Sequence, residues 1–301
     1  MGGRNMSNYA IVVDSTTDLP PELAEKLGVH VIPYIFTLDG KEYYNHLDYR
    51  DISVKEFYNT LRAGKTGSTT QVTPTRYVEE WEPFLKEGKD VLYMCLSSML
   101  SKSYEMSLLA VKELSETYPD RKIISIDSKA ASVGQGALAF YASKAKEEGK
   151  SIDENAEYIN KLIPRLQHWV MADDLHHLRR GGRVSGASAF VGTMLSIKPI
   201  LTMTDEGKLV PLHKVRGRGK ALDYFMEKIE EYKIDKEHDT VFISHSDVAD
   251  FATELKLKVV EKYGIKNFVI NEIGPVIGAH TGPGTIALIF VGEGKRATAK
   301  Q

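Results

Sequence analysis

The sequence predicts an α/β protein of two domains, an N-terminal parallel sheet with helices on both faces and a C-terminal α+β domain with a mixed sheet. Three observations carry this. Over residues 8–150, short apolar runs alternate with longer segments of helical spacing, the pattern of a parallel sheet wrapped by helices. Over residues 151–295, hairpin signals are mixed with helices, which suits a partly antiparallel sheet. The 301 residues suffice for two domains, and 42% apolar with 27% charged residues is the balance of a folded globular chain.

In chain order, the first strand covers residues 9–13 and runs into Asp14-Ser15-Thr16-Thr17-Asp18, a turn rich in capping residues. Pro20-Pro21 opens a helix over 22–27, where proline is tolerated in the first turn, and Gly28 stops it. Residues 29–36 read as the next strand, and Asp39-Gly40 is a hairpin signal leading into 42–44. Ser53 with Glu56 is a capping-box pattern for a helix to about Ala63. Residues 64–74 read as a loop crowded with hydroxyls. A helix at 75–86, a strand at 91–96 and a helix at 100–118 follow, the last with apolar spacing at Leu100, Tyr104, Leu108 and Val111. A strand at 122–126 and a helix at 131–148 complete the first domain.

Ser151 with Glu154 caps a helix near 151–165 that leads into the second domain. Residues 173–180 form a short helix ended by Gly181-Gly182, and 197–204 with 208–215 a hairpin around Asp205-Glu206-Gly207. Helices at 219–232 and 249–263 alternate with strands at 240–244 and 268–271. A glycine-rich turn at 274–284 precedes the last strand, 285–291.

Composition excludes several classes. Lys plus Arg is 39 and Asp plus Glu is 41, a formal charge of −2, so no global field draws a polyanion. The longest apolar runs fall far short of the ~18 residues that span a bilayer, and the N-terminal residues lack the apolar core of a secretory signal. Cys95 is the only cysteine, which excludes a disulfide framework and a multi-cysteine metal site. The expected location is the cytoplasm. His176-His177 are adjacent on a helix and diverge, so no metal is expected there. AGKT at 63–66 has Asn59 where a Walker loop needs glycine, and the Gly134-Gln135-Gly136 string with Ala139 does not directly follow a strand. Helix packing explains the latter, and no ATP or NAD site is expected.

Three segments carry candidate chemistry. Ser97-Ser98 stand where a strand hands over to a helix, a place where free amides and hydroxyls can seat an anion; simple N-capping is the competing reading. Ligands of open α/β sheets sit at that C-terminal strand edge. The loop at 64–74 offers neutral hydroxyls, Thr69 and Thr70 among them, which suit one carboxylate or phosphate. GPVIGAHTGPG (274–284) frames His280 and Thr281 with four glycines, which imply positive φ or close backbone approach. A nucleophile needs a base, so an acyl or phosphoryl transferase using Ser98 and His280 is the alternative reading.

Together these segments resemble the DegV family of bacterial lipid-binding proteins. The resemblance runs through IVVDSTTDLP (11–20), TTQVTP (69–74), LSSMLSKSY (96–104), DSKAASVGQGAL (127–138), DDLHHLRRGGRVS (173–185), IKPIL (197–201), VRGRGKAL (215–222) and GPVIGAHTGPG (274–284). It implies two α/β domains that hold one long-chain fatty acid such as palmitate or stearate, with no cofactor, no metal and no catalytic residue. By position, the carboxylate ligands would be Thr69, Thr70, Ser97, Ser98 and His280, with Arg183 and Thr281 near the head group or a partner. It also implies a separate kinase that phosphorylates the bound acid, no nucleic-acid partner, and transient contact with a membrane surface. One departure is that Lys102 stands where the family's Ser-Gly-Thr has glycine.

Overall fold

A computed structural model describes residues 8–173, 175–185 and 196–297. Its element order is β1 (Tyr9–Asp14), α1 (Pro21–Lys26), β2 (Val29–Ile32), β3 (Tyr34–Leu38), β4 (Lys41–Asn45), α2 (Val54–Arg62), β5 (Gly67–Thr70), α3 (Pro74–Lys86), β6 (Asp90–Cys95), α4 (Ser103–Thr117), β7 (Ile123–Asp127) and α5 (Val133–Glu147). There follow α6 (Ile152–Leu162), β8 (Leu166–Met171), α7 (His176–Arg180), β9 (Ile197–Met203), β10 (Leu209–Arg216), α8 (Gly217–Tyr232), β11 (Val241–His245), α9 (Ala249–Tyr263), β12 (Phe268–Glu272), α10 (Pro275–Thr281) and β13 (Ile286–Val291).

The first sheet is parallel, in the order β2-β1-β6-β7. Strand alternation sends Ile11, Val13, Leu92 and Met94 to one face, toward α5 and α6, and Val12, Val91, Tyr93 and Cys95 to the other, toward α3 and α4. A six-stranded mixed sheet, β10-β9-β8-β13-β11-β12, is antiparallel except for β11 with β12. Helices α8 and α9 cover its outer face. The expected architecture is therefore present.

Helix α5 lies between the two sheets, touching β1 and β6 on one side and β11 and β13 on the other. Eleven of its 15 residues are buried. Its small residues allow the close approach. A Cβ at Gly136 would come within 2.8 Å of Leu19 and 2.9 Å of the Thr17 carbonyl, so the glycine string of α5 serves packing.

Three expectations are corrected. The strand read at 29–36 breaks at Pro33, which has no N–H to donate. Strand β2 stays in the parallel sheet, while β3 joins a separate three-stranded sheet, β4-β3-β5. The loop read at 64–74 contains β5, paired antiparallel with β3 (Phe36 with Thr69, Ile35 with Thr70). The glycine-rich turn at 274–284 contains helix α10, begun by Pro275, with positive φ only at Gly282 and Gly284. Strand β8, absent from the sequence reading, is central in the mixed sheet.

Candidate functional site

A cavity of about 210 Å³ lies on the inner face of the mixed sheet, lined also by Val276, Ile277, His280 and Thr281 of α10 and by Ala131 and Ser132 just before α5. Its wall is mainly aliphatic, with Val170 from β8, Met203 from β9, Leu209 from β10, and Ala287 and Ile289 from β13. At one end the lining becomes polar, with Thr69, Thr70, Ser101, Arg183 and His280.

Each polar side chain is placed by an element. Burial alternates along β5, so Thr69 turns inward while Ser68 and Thr70 stay exposed. Helix α10 packs on β5 and delivers His280, whose Nε2 lies 2.8 Å from Thr69 Oγ1. Its Nδ1 has no hydrogen-bond partner among the described residues. Burial, helped by the positive Arg183 and Arg180, pulls the His280 pKa down to about 4, so the ring is neutral near pH 7. Arg183 follows α7 and donates from Nε to the Leu100 carbonyl (3.2 Å) and from Nη1 to that of Gly181 (2.6 Å). Lys102, at the same rim, pairs with Glu105 at 2.8 Å. Thr281 lines the cavity and donates to Ile277 O (3.3 Å).

Ser97 and Ser98 do not join this lining. Helix α4 starts at Ser103, not directly after β6, so the expected helix N-terminal amides are not at these serines. Ser97 Oγ donates to Gly207 O (2.7 Å), at the tip of the β9–β10 hairpin, and Ser98 Oγ donates to Asp127 Oδ2 (2.6 Å). His280 bonds Thr69 rather than Ser98, so the pair required by a transferase reading is not assembled. Two serines that the sequence does not single out reach the cavity, Ser132 just before α5 and, at the polar end, Ser101. The hydroxyl of Ser101 is itself engaged. It donates to Ser103 Oγ (3.0 Å), which in turn receives Tyr34 Oη (2.6 Å).

One group among the described residues could converge on a metal, Asp235, Glu237 and His238. Its histidine is already committed, with Nδ1 2.8 Å from Asp235 Oδ1 and Nε2 2.9 Å from Tyr158 Oη. Among the described residues no helix is long and apolar enough to cross a membrane.

Fold and site define the class, an α/β protein with an apolar cavity between sheet and helix that is polar at one end. The family model described as uncharacterised protein, DegV family, matches residues 8–293. The chain belongs to the DegV family. It is similar to a DegV domain-containing protein of Clostridium perfringens, 41% identical, over 96% of this chain and 99% of the relative. Among solved structures it is similar to a DegV family protein from Thermus thermophilus, described as fatty-acid binding, at 30% identity and TM-score 0.84 over 95% of this chain and 99% of that one. A stearic acid-binding protein from Eubacterium ventriosum matches at 25% identity and TM-score 0.81, over 94% and 98%.

Proposed function

We infer that this chain is a non-catalytic carrier that binds one long-chain fatty acid, tail in the cavity and carboxylate at the polar end. The carrying observation is the pairing of an aliphatic cavity of about 210 Å³ with one cluster of neutral donors around Thr69 and His280. A palmitate tail has about fourteen methylenes worth ~0.8 kcal/mol each, roughly 11 kcal/mol gross before association costs.

The head group needs donors and no fixed counter-charge. If neutral His280 donates from Nε2 to Thr69 Oγ1, the Thr69 hydroxyl proton is free for a carboxylate oxygen. Thr70 and Ser101 flank it, and Arg183 with Lys102 puts positive charge at the rim. Ser97 and Ser98 take the supporting role of fixing the strand tip. A head group at an exposed rim is reachable by a separate, ATP-using kinase in the cytoplasm, which is the partner this reading expects.

Native mass spectrometry of protein purified from cells without detergent tests the carrier reading. The expected result is a C14–C18 acid adduct. Thr69→Val should weaken palmitate binding about tenfold, or ~1.4 kcal/mol. Protein with no lipid that also fails to take up palmitate would overturn it.

A further inference from the structure

The cavity has a polar end and an inner end, and strand register locates the second. At the polar end, Thr285 donates to Thr281 O at 3.2 Å. From there alternate residues of β13, Ala287, Ile289 and Val291, turn to the inner face of the mixed sheet. Ile289 pairs with His168 of β8, and Leu209 of β10 pairs with Met203 of β9. Two residues on from the antiparallel pair Val170–Leu201, Met203 falls beside His168. Leu209, Met203, His168 and Ile289 thus form one row across four neighbouring strands, and all four line the cavity. The row stands about 13 Å beyond Thr285 at ~3.3 Å per residue.

The lining stops at that row. The next inward-facing pair, Leu166 and Val291, lies outside the lining and belongs to the core shared with α5 and α6. Helix α5 rests on the sheet at this level. A Cβ at its Gly134 would fall onto His168 Nε2 and 3.4 Å from Ile289 Cδ1. A tail that runs inward from the Thr69 end therefore meets the row with its methyl terminus.

The two halves of the row differ. His168 and Ile289 are backed by α5. Met203 and Leu209 stand on the β9–β10 hairpin, in a small cluster with Leu175 and Leu178 apart from the three large cores. The hairpin tip itself is pinned, since Ser97 Oγ donates to Gly207 O (2.7 Å) and Arg296 Nη1 to Thr204 O (3.3 Å). With the backbone held, the reach of a side chain decides where the cavity ends. Met203 stands between Leu209 and His168, is 2% exposed, and carries an unbranched thioether arm that can fit itself to the end of a chain.

We propose that Met203 sets the length of acid that the cavity accepts, its side chain closing the inner end against the terminal methyl group. The inference rests on the fatty-acid reading and adds the chain-length selectivity to it. Truncation frees the volume of the thioether arm for further methylenes, whereas an aromatic ring at this position fills space that the last methylenes need.

The test compares myristic, palmitic, stearic and arachidic acids by fluorescence displacement on delipidated full-length protein and its Met203→Ala and Met203→Phe variants. Met203→Ala should raise the affinity ratio of arachidic to palmitic acid about tenfold, as two further buried methylenes would give. Met203→Phe should lower the ratio of stearic to myristic acid by a similar factor. A second readout probes the parent protein. With ¹³C-labelled methionine methyl groups, the Met203 methyl should show a nuclear Overhauser contact to the terminal methyl of bound palmitic acid. An unchanged chain-length profile in the folded variants would overturn the proposal, and so would equal weakening of every acid. A bound palmitic acid whose terminal methyl makes no contact with the Met203 methyl would overturn it as well. Failure of every acid to bind the parent protein would instead overturn the carrier reading.

Discussion

At the scale of single residues, the polar end of the cavity depends on where one imidazole is pushed from behind. Gly181, just after α7, lies against His280 Nδ1, and a Cβ there would fall onto that nitrogen. Its φ of −74° is open to any residue, so a substitution tests contact rather than backbone strain. Gly181→Ala should displace the ring, break the 2.8 Å contact to Thr69 and weaken palmitate binding roughly tenfold, about 1.4 kcal/mol. The Tm should change by only a few degrees, because the residue is part-exposed at a helix end. Fluorescence displacement titration with circular dichroism melting measures both. Unchanged affinity in a folded variant would show that the imidazole does not hold Thr69 in place.

At the scale of elements, what the sequence made legible follows from where the stabilising energy resides. Strands such as β1 and β6 and helices such as α9 declare themselves through apolar periodicity, because their burial is written in their own residues. Strand β5, with sequence GSTT, has no apolar residue. It exists because β3, about 30 residues upstream, pairs with it and α10, more than 200 residues downstream, covers it. Helix α10 hides behind glycines that serve close approach. A Cβ at Gly278 would meet Tyr58 Oη at 2.5 Å, and one at Gly274 would meet Asp18 Oδ1 at 2.8 Å. Thr69 and His280 were found as residue types in polar and glycine-framed strings. Their contact was not legible from spacing alone. Ser97 does not seat an anion because seven residues, 96–102, separate β6 from the start of α4 at Ser103, and because the β9–β10 hairpin tip reaches over to take its hydroxyl. That tip gives a prediction at this scale. Gly207 has φ +92°, and a Cβ there would strike Ser97 Oγ and sit 3.1 Å from Lys129 Cα. Gly207→Ala should destabilise by about 2–4 kcal/mol from left-handed strain and the clash together. Adding Ser97→Ala removes the struck oxygen, so the double variant should recover at least ~0.5 kcal/mol relative to additivity. Urea unfolding of the four proteins measures the cycle, and strict additivity would mean that the tip does not rest on Ser97.

At the scale of the whole molecule, the two sheets are tied by a buried carboxyl as well as by α5. Asp18 Oδ1 accepts from Gly274 N at the start of α10 (2.9 Å), and its Oδ2 accepts from Ser132 Oγ before α5 (2.5 Å). Asn271, ending its reach from β12, donates to the Asp18 carbonyl (2.9 Å). Burial drives the Asp18 pKa up to about 7 against the hydrogen bonds from Ser132 and Gly274, and the nearby Asp14 adds to the rise. The other titratable groups facing this seam, Tyr49 and Tyr58, are buried phenols held neutral. Because the folded value lies above the unfolded value of 3.8, this group's stabilisation is complete below about pH 4 and is lost as pH rises toward and through 7. His168 and His280, with folded values of about 3 and 4, work in the opposite direction, losing stability as pH falls below their ordinary value of 6.5. A substitution at Asp18 separates the two trends. An amide in Asp18→Asn can still accept from Gly274 and can donate to Ser132, whose hydroxyl is also 2.9 Å from Ser244 Oγ. The variant should match the parent near pH 4. It should gain on it by up to ~1.4 kcal/mol per pH unit between pH 4 and 7 and hold a constant lead above that. Denaturant unfolding at a series of pH values measures the difference curve. A curve that is flat across this range would mean that Asp18 is ionised in the folded protein, and that the seam between the sheets holds a buried charge rather than a shared proton.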